Sequence, residues 1–313
     1  MSKRYLFIIP GRLGDALMIT PALRLLKHCQ PDSQIDVLAY SELSEEVYRN
    51  NPNCGKILNL QSILNGNVRA EDYDLLIAPH LIPDLKHLGE AFPRPMLLAE
   101  KPNFAVHQSA QALRFIGDVF CNENYHLYYP YEIYPDEQDQ SWANAVLDQR
   151  YKYIGMHLGC HGINKTSKKL FSWPRKTRHR KLWPVSHYIA LAKFLQESYP
   201  HHKIVLTGGP NEIPLSQKFM QEIPNAINLM GQTSVLQLAA VMQRFSVYIC
   251  PDSGTMHLAC AVNIPLVTLF GPTDAMRTGP FLARHQKILQ QKNLEELPVE
   301  DVVSAVHDVM RSL

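Results

Sequence analysis

Residues 246–273 have the sequence SVYICPDSGTMHLACAVNIPLVTLFGPT, in which two apolar runs flank a polar turn and a helical segment. The apolar runs, 246–250 and 265–270, are short and rich in β-branched and aromatic residues, which favours buried strands. Residues 255–262 between them have the composition of a helix that begins after the turn. A strand, a helix and a second strand in this order predict a βαβ unit and therefore a parallel sheet.

The same alternation extends through the rest of the chain. In the C-terminal half, the other predicted elements are strands at 153–158 and 203–207 and helices at 186–198 and 234–244. In the N-terminal half, they are strands at 5–9, 35–39 and 73–78 and a helix with Thr20 as N-cap and Pro21 in its first turn. Two such series predict an α/β protein with two Rossmann-like, doubly wound parallel-sheet lobes.

The chain has 313 residues, more than a single hydrophobic core usually organises. The alternation stops between 125 and 137, so we place the linker between 130 and 150. The predicted domains are an N-terminal lobe, 1–148, and a C-terminal lobe, 149–313. A closing helix, 299–313, is a candidate for packing back on the N-terminal lobe.

Composition excludes several classes of protein. Hydrophobic residues make up 46% of the chain and charged residues 19%, which is enough apolar material for a core in each half. The longest uncharged run, 253–273, contains Pro, Asn and Gly and does not resemble a membrane span. The six cysteines form no C-x-x-C pair, so we expect reduced thiols in a cytosolic protein.

The net charge of +2 hides an uneven distribution. Residues 164–181, the basic segment, contain eight lysines or arginines and no acid, whereas the rest of the chain is acidic. Such a segment suggests an anionic partner, which would be a nucleotide phosphate, a phosphorylated glycolipid or the membrane surface. The alternative is a solvated loop.

Three loops connect a predicted strand to a helix, where open α/β sheets bind their ligands. In the first, residues 10–15, two glycines permit a close backbone approach and Asp15 would project at the strand end. This carboxylate is either a general base or a cap for the following helix, and the spacing alone does not decide between them.

The second loop, 251–255, combines free helix amides with the hydroxyls of Ser253 and Thr255, a combination that suits a diphosphate. The alternative is an ordinary N-cap, with His257 a semi-buried histidine.

The third loop, 206–212, has a Gly-Gly turn followed by Glu212. Carboxylates in this position commonly accept hydrogen bonds from ribose hydroxyls. The alternative role for Glu212 is that of an acid in the first turn of a helix.

Other enzyme classes lack their motifs here. The chain has no G-x-x-x-x-G-K-[ST], H-E-x-x-H, G-x-S-x-G or paired C-x-x-C motif. His157 and His161 are four residues apart but have no carboxylate beside them, so we predict no metal site.

Taken in order, the motifs resemble those of glycosyltransferase family 9, the bacterial ADP-heptose:lipopolysaccharide heptosyltransferases, almost from end to end. The matching motifs are Gly14-Asp15, Thr20-Pro21-Ala22-Leu23, Lys181-Leu182-Trp183-Pro184, the turn with Gly208, Gly209 and Glu212, the helix start with Gly231, Thr233 and Ser234, Asp252 to Ala259, and Phe270 to Thr273. Each motif is weak alone, but their common order is not expected by chance.

The resemblance implies a GT-B fold, whose two lobes face a cleft, with the acceptor on the N-terminal lobe and the nucleotide sugar on the C-terminal lobe. It implies a metal-independent, inverting transfer of heptose from ADP-heptose to a Kdo or heptose of the lipopolysaccharide inner core. No cofactor and no nucleic-acid partner are expected. The enzyme would be cytoplasmic, with peripheral contact at the cytoplasmic face of the inner membrane.

By the same resemblance, Asp15 is the general base and Lys181 contacts the donor phosphates. An inverting transfer needs a base opposite the leaving group, and a leaving diphosphate needs a cation or amides. The other donor-binding residues are Glu212 on the ribose, Thr233, Asp252, Ser253, Gly254, Thr255 and His257. The acceptor is assigned to Arg12, Gly14, Lys168, Lys169 and Arg175.

The chain departs from the family between Gly159 and Lys181, where it carries the long basic segment. That segment contains a second Trp-Pro pair, Trp173-Pro174, but only the pair at 183–184 follows the expected lysine. Two alternatives remain: a GT-B transferase that uses another nucleotide sugar, and a non-catalytic GT-B binding module. The presence of Asp15, Lys181 and Asp252 argues against the second.

Overall fold

The computed structural model describes residues 2–66, 68–80, 94–99, 103–121, 125–160 and 180–312. The chain divides into two compact units, residues 1–134 and 135–313. The division falls before residue 148, the predicted end of the first lobe. The helix Glu137–Val146 packs against the helix Val235–Met242 and so belongs to the second unit.

Unit 1 contains a five-stranded parallel sheet in the described residues, in the order β3-β2-β1-β4-β5. Its strands are β1 (Arg4–Ile9), β2 (Gln34–Ala39), β3 (Ile57–Asn59), β4 (Leu75–Ala78) and β5 (Met96–Leu98). Its helices are α1 (Leu13–Met18), α2 (Thr20–Cys29), α3 (Glu42–Tyr48), α4 (Leu60–Leu64) and α5 (Gln108–Phe120). Strand β1 is buried because both of its neighbours and the flanking helices cover it.

Unit 2 contains a six-stranded parallel sheet in its described residues, in the order β11-β10-β9-β6-β7-β8. Its strands are β6 (Lys152–His157), β7 (His202–Thr207), β8 (Ile227–Asn228), β9 (Phe245–Pro251), β10 (Leu266–Phe270) and β11 (Gln286–Gln290). Its helices are α6 (Glu137–Val146), α7 (Val185–Ser198), α8 (Ile213–Glu222), α9 (Val235–Met242), α10 (Gly254–Ala261), α11 (Ala275–Thr278) and α12 (Val299–Arg311).

Both sheets are doubly wound, as the sequence predicts. The chain adds β2 and β3 on one side of β1 and then crosses to add β4 and β5 on the other. In unit 2 it adds β7 and β8 beside β6 and then crosses to β9, β10 and β11. The strand order reverses between β1 and β4 and between β6 and β9, which are the positions where such sheets open a crevice at their carboxyl edge.

Helix α12 packs on other elements of unit 2. Its buried residues Val302, Val306 and Val309 join the hydrophobic core that also contains side chains of α7, β9 and β10. This apolar face accounts for the amphipathic pattern of the closing segment. Within the described ranges, no helix has the length and hydrophobicity needed to cross a membrane.

The predicted cap of α2 is wrong. Helix α2 begins at Thr20 itself, and Ile19 occupies the N-cap position. The buried Thr20 hydroxyl donates to the carbonyl oxygen of Leu17, at 2.8 Å, and accepts the backbone N–H of Glu132, at 3.1 Å. Thr20 therefore joins the end of α1 to the last segment of unit 1, and it does so from inside the helix.

The prediction of six reduced thiols is wrong for two cysteines. Cys29 at the end of α2 and Cys121 just after α5 form a disulfide, with Cα atoms 5.2 Å apart. Helices α2 and α5 pack side by side, so residues 92 positions apart in sequence meet at their ends. The other four cysteines, Cys54, Cys160, Cys250 and Cys260, form no disulfide.

Candidate functional site

Most predicted donor-binding residues lie at one edge of the unit 2 sheet. Asp252 follows β9, and Glu212 follows β7 after a short turn. His157 ends β6, the strand between them, and Thr273 follows the neighbouring strand β10. Because all four strands are parallel and adjacent, their carboxyl ends bring these side chains to the point where the strand order reverses.

Lys181 and Asp252 form an ion pair at this edge. The Lys181 ammonium lies 3.1 Å from Asp252 Oδ2, and the same oxygen accepts the Thr273 hydroxyl at 2.7 Å. The side chains of Lys181 and Asp252 are only 15% and 17% exposed to solvent. The structure thus brings together two predicted site residues and adds Thr273, which the motif at 270–273 contains but the prediction did not assign.

The backbone before Lys181 is held by close packing. The carbonyl oxygen of Arg180 accepts the N–H of Leu294 at 3.1 Å. A Cβ on Gly271 would lie 2.6 Å from that same oxygen, so only glycine leaves room for this approach. The glycine of the motif at 270–273 is therefore needed for the position of the lysine.

Trp183 fixes the other side of Lys181. Its indole is 1% exposed, and its Nε1–H donates to the carbonyl oxygen of Leu297 at 2.9 Å. It also packs edge to face on Tyr188, with ring centroids 4.7 Å apart. The tryptophan that identifies the motif thus acts as a structural anchor, while the lysine two residues earlier reaches the site.

The start of helix α10 provides backbone amides beside Asp252. Ser253 occupies the N-cap position, but its hydroxyl pairs with the Thr255 hydroxyl at 2.9 Å and caps no amide. The interpretation of Ser253 as an ordinary N-cap is therefore wrong. First-turn amides have no acceptor within the helix and carry the positive end of its dipole, so this start, at Gly254, suits an anion.

Buried hydroxyl groups of neighbouring strands are hydrogen-bonded to the start of α10. The Tyr248 hydroxyl lies 2.7 Å from Thr207 Oγ1 and also hydrogen-bonds with Thr255. Burial, and secondarily the nearby Cys250, raises the pKa of Tyr248 well above its ordinary value. The phenol therefore stays protonated and can donate. His257, on the same helix, is also buried.

Glu212 occupies the N-cap position of α8, and its side chain folds back over the preceding turn. Its Oε2 accepts the Gly209 N–H at 2.8 Å, and its Oε1 lies 3.5 Å from His157 Nε2. Glu212 is also the acid of the short 3-10 turn Pro210–Glu212, so the alternative role as a first-turn acid holds beside any role in binding. The carboxylate keeps 15% of its exposure, and this open part is available to a ligand.

Thr233 is not joined to this cluster. It lies half-buried before Ser234, whose side chain caps α9 by accepting the Gln237 N–H. Among the residues that the structure describes, no hydrogen bond links Thr233 to Lys181 or Asp252. Likewise, no group of three or more His, Cys, Asp or Glu side chains in these ranges is arranged to hold a metal ion.

Asp15 lies in unit 1, also at the reversal point of its sheet. It is the third residue of α1, whose N-cap is Arg12, so it does not cap the following helix. Its side chain is partly exposed. An acid in the first turn is favoured by the helix dipole, and the loop after β1 directs this turn to the carboxyl edge.

Two hydrogen bonds hold α1 and the loop before it. The Ser41 hydroxyl donates to the Gly11 carbonyl oxygen at 2.6 Å, and the buried Tyr48 hydroxyl donates to the Ala16 carbonyl oxygen at 3.1 Å. Both donors come from the neighbouring β2–α3 connection and α3. Of the predicted acceptor residues, Arg12 and Gly14 belong to this loop and helix, whereas Lys168, Lys169 and Arg175 lie outside the described residues.

Known proteins are similar to this chain in sequence and in fold. The chain is 26% identical over 343 residues to lipopolysaccharide heptosyltransferase 3 of Escherichia coli K12, covering 95% of each chain. The structure of E. coli ADP-heptose lps heptosyltransferase II superimposes with a TM-score of 0.80 at 18% identity, covering 99% of each chain. The structure of E. coli heptosyltransferase WaaC with ADP has a TM-score of 0.72 at 16% identity, covering 98% of this chain and 99% of that one.

These structural likenesses show that the chain has the GT-B fold, the two-unit architecture of many sugar transferases. The family model for glycosyltransferase family 9 (heptosyltransferase) matches residues 131–307, more than half of the sequence. The chain belongs to that family.

The packing around Lys181 gives a first prediction. Gly271→Ala should lower the free energy of unfolding by about 1–3 kcal/mol, because the Arg180 backbone must move away from the new Cβ. Urea unfolding measures this. Gly209→Ala is the matched control, since its Cβ would approach Glu212 Oε2 no closer than 3.9 Å. Equal stability of the two variants would contradict the close approach.

Proposed function

We propose that this chain transfers heptose from ADP-heptose to a lipopolysaccharide inner-core acceptor, either Kdo or heptose, with inversion at the anomeric carbon. The observation that carries the proposal is the grouping of Lys181, Asp252 and Glu212 at the reversal point of the unit 2 sheet. Membership of family 9 and the names of the relatives supply the donor and acceptor classes.

Each group of the cluster suits one part of the donor. Lys181 and the first-turn amides of α10 stabilise the diphosphate, whose charge grows as it leaves. The open side of the Glu212 carboxylate accepts ribose hydroxyls. Asp252 and His257 contact the sugar of the donor. This stabilisation of the leaving group uses a cation and amides from the chain and needs no metal.

Asp15 removes the proton from the acceptor hydroxyl. The acceptor oxygen then forms a bond to the anomeric carbon of the heptose as the bond from that carbon to the diphosphate breaks, and ADP departs. The configuration is inverted in this single displacement because the acceptor oxygen attacks the face opposite the leaving group, where the carboxylate takes its proton. Arg12 and Gly14, beside Asp15, are placed to contact the acceptor.

We assign the basic segment to the anionic acceptor or to the membrane that carries it. Cys160, before the segment, follows β6, and Lys181, the last residue of the segment, precedes α7. The diphosphate is already assigned to Lys181, and it has too little charge to require the other seven cations of the segment. Inner-core phosphates, Kdo carboxylates and anionic lipids carry enough negative charge for all seven, which supports a reaction at the cytoplasmic face of the inner membrane.

Two other functions share the fold. A transferase for another nucleotide sugar would bind UDP in preference to ADP, and titration calorimetry with both nucleotides separates the two donors. A binding module without catalysis would bind ADP yet form no product from ADP-heptose and purified core acceptor. The ion pair of Lys181 with Asp252 favours the transferase over the binding module, since it holds a cation where the diphosphate would leave.

Asp15→Asn should lower turnover by roughly a hundredfold or more, the usual range for a lost general base, and leave ADP affinity nearly unchanged. Product formation and calorimetry measure the two effects. Asp32→Asn, at an exposed acid of the same unit, is the control and should retain full activity. Turnover near the wild-type rate in the Asp15 variant would remove this residue from the mechanism.

Lys181→Ala should weaken ADP binding and slow transfer together, because the ammonium acts on both the bound phosphates and the leaving group. Lys193→Ala is the control: that lysine is 53% exposed and pairs with Glu222 elsewhere in unit 2. If ADP affinity stayed unchanged in the Lys181 variant, the phosphate contact would lie elsewhere.

Replacing four cations of the basic segment, Lys168, Lys169, Arg175 and Lys176, with serine should raise the acceptor KM and reduce binding to anionic liposomes. ADP affinity should change little. The liposome effect should fade with salt, because exposed charges are screened. The control removes four exposed cations of unit 2, Lys193, Lys218, Arg284 and Lys292. Loss of ADP affinity would make the segment part of the donor site, and no change in any measurement would indicate a solvated loop.

A further inference from the structure

His157 is a buried polar residue that the proposed mechanism does not use. It is the last residue of β6 and is 3% exposed. Its Nδ1 lies 3.0 Å from the carbonyl oxygen of Thr207. A carbonyl oxygen only accepts, so Nδ1 carries a proton and the ring orientation is fixed by the neighbouring strand β7.

That orientation aims the other ring nitrogen at Glu212, with Nε2 3.5 Å from Oε1. On the other side, Gly209 donates its N–H to Oε2 at 2.8 Å. Each carboxyl oxygen of Glu212 therefore has its own partner.

Gly159 also contributes to the position of the Glu212 side chain. A Cβ on this residue would overlap Glu212 Oε1, so the side chain passes directly against the Gly159 backbone. Three independent features of the chain, a histidine, a glycine and a backbone amide, thus set the position of one carboxylate. The two oxygens that they hold still have lone pairs on the open side, since a carboxylate has about four acceptor sites.

We propose that His157 is a positioning residue that fixes Glu212 for the ribose hydroxyls of the donor nucleotide and so contributes to the choice of a ribonucleotide. The inference rests on the proposed binding of ADP by unit 2. His157 itself need not touch the donor, because it acts through the carboxylate. A carboxylate held in place loses less conformational freedom when it receives a hydroxyl.

The test uses two substitutions that separate the contact of Nδ1 with Thr207 from the contact of Nε2 with Glu212. In His157→Asn, the side-chain amide can reach the Thr207 carbonyl in place of Nδ1 but cannot reach Glu212. In His157→Gln, the longer side chain can place its amide near the position of Nε2. Both variants and the wild type are titrated with ADP and with 2′,3′-dideoxy-ADP, which lacks the ribose hydroxyls.

The Asn variant should bind ADP about tenfold more weakly, and dideoxy-ADP as the wild type does. The Gln variant should recover most of the loss. Equal weakening for both nucleotides, or wild-type ADP affinity in the Asn variant, would overturn the proposal. If the Asn variant does not fold, as judged by circular dichroism, Gly159→Ala replaces it, because it displaces the same carboxylate and should show the same selective loss.

Glu212→Gln separates this inference from the proposed function. If that variant loses affinity for ADP alone while the Asn variant does not, His157 has no positioning role and the donor assignment stands. If the wild-type chain binds no ADP, the proposed donor fails and the inference fails with it. A wild-type chain that binds both nucleotides equally would remove Glu212 from the ribose and overturn the role of His157.

Discussion

The reversal of strand order beside the first strand of each sheet is the constraint on which the site depends. In unit 2 the chain adds β7 on one side of β6 and later returns to the other side at β9, and in doubly wound sheets the connections after two such strands turn to opposite faces. The edge between them is left open to a ligand. Residues separated by almost a hundred positions, from His157 to Asp252, can meet there because all strands run in one direction.

Placing Lys181 at this edge requires anchors outside the site. The Trp183 indole is buried and hydrogen-bonded to Leu297, and the Arg180 carbonyl rests against Gly271. A flexible lysine gains precision when its backbone is fixed on both sides, because fewer conformations compete with the productive one. The K-x-W-P and F-G-P-T motifs, far apart in sequence, are therefore two sides of one packing contact.

The sequence predicts the central strands well, because apolar runs such as 246–250 and 265–270 have few other ways to be buried. It does not reveal edge strands of two or three residues such as β3 and β8, since so short a run has no detectable period. The disulfide of Cys29 with Cys121 depends on how α2 and α5 pack, which no local pattern encodes.

Site residues divide in the same way. Loop positions after strands identify Asp15, Glu212 and Asp252, because topology alone brings strand ends to one edge. The sequence assigns no site role to His157, because its contacts with the Thr207 carbonyl and Glu212 are known only once β6 and β7 pair. Its position at a strand end, two residues before Gly159, is the signal that could identify it.

The pairing of Lys181 with Asp252 has a consequence for the proposed donor. Such a pair, at the edge of solvent, adds little to stability, because desolvation offsets most of the attraction. A diphosphate that approaches Lys181 competes with Asp252 for the ammonium. The displaced carboxylate then needs other donors, of which Thr273 is one. Sugar hydroxyls supply further hydrogen-bond donors. A nucleotide sugar therefore offers partners to both Lys181 and Asp252, whereas the free nucleotide offers a partner only to Lys181.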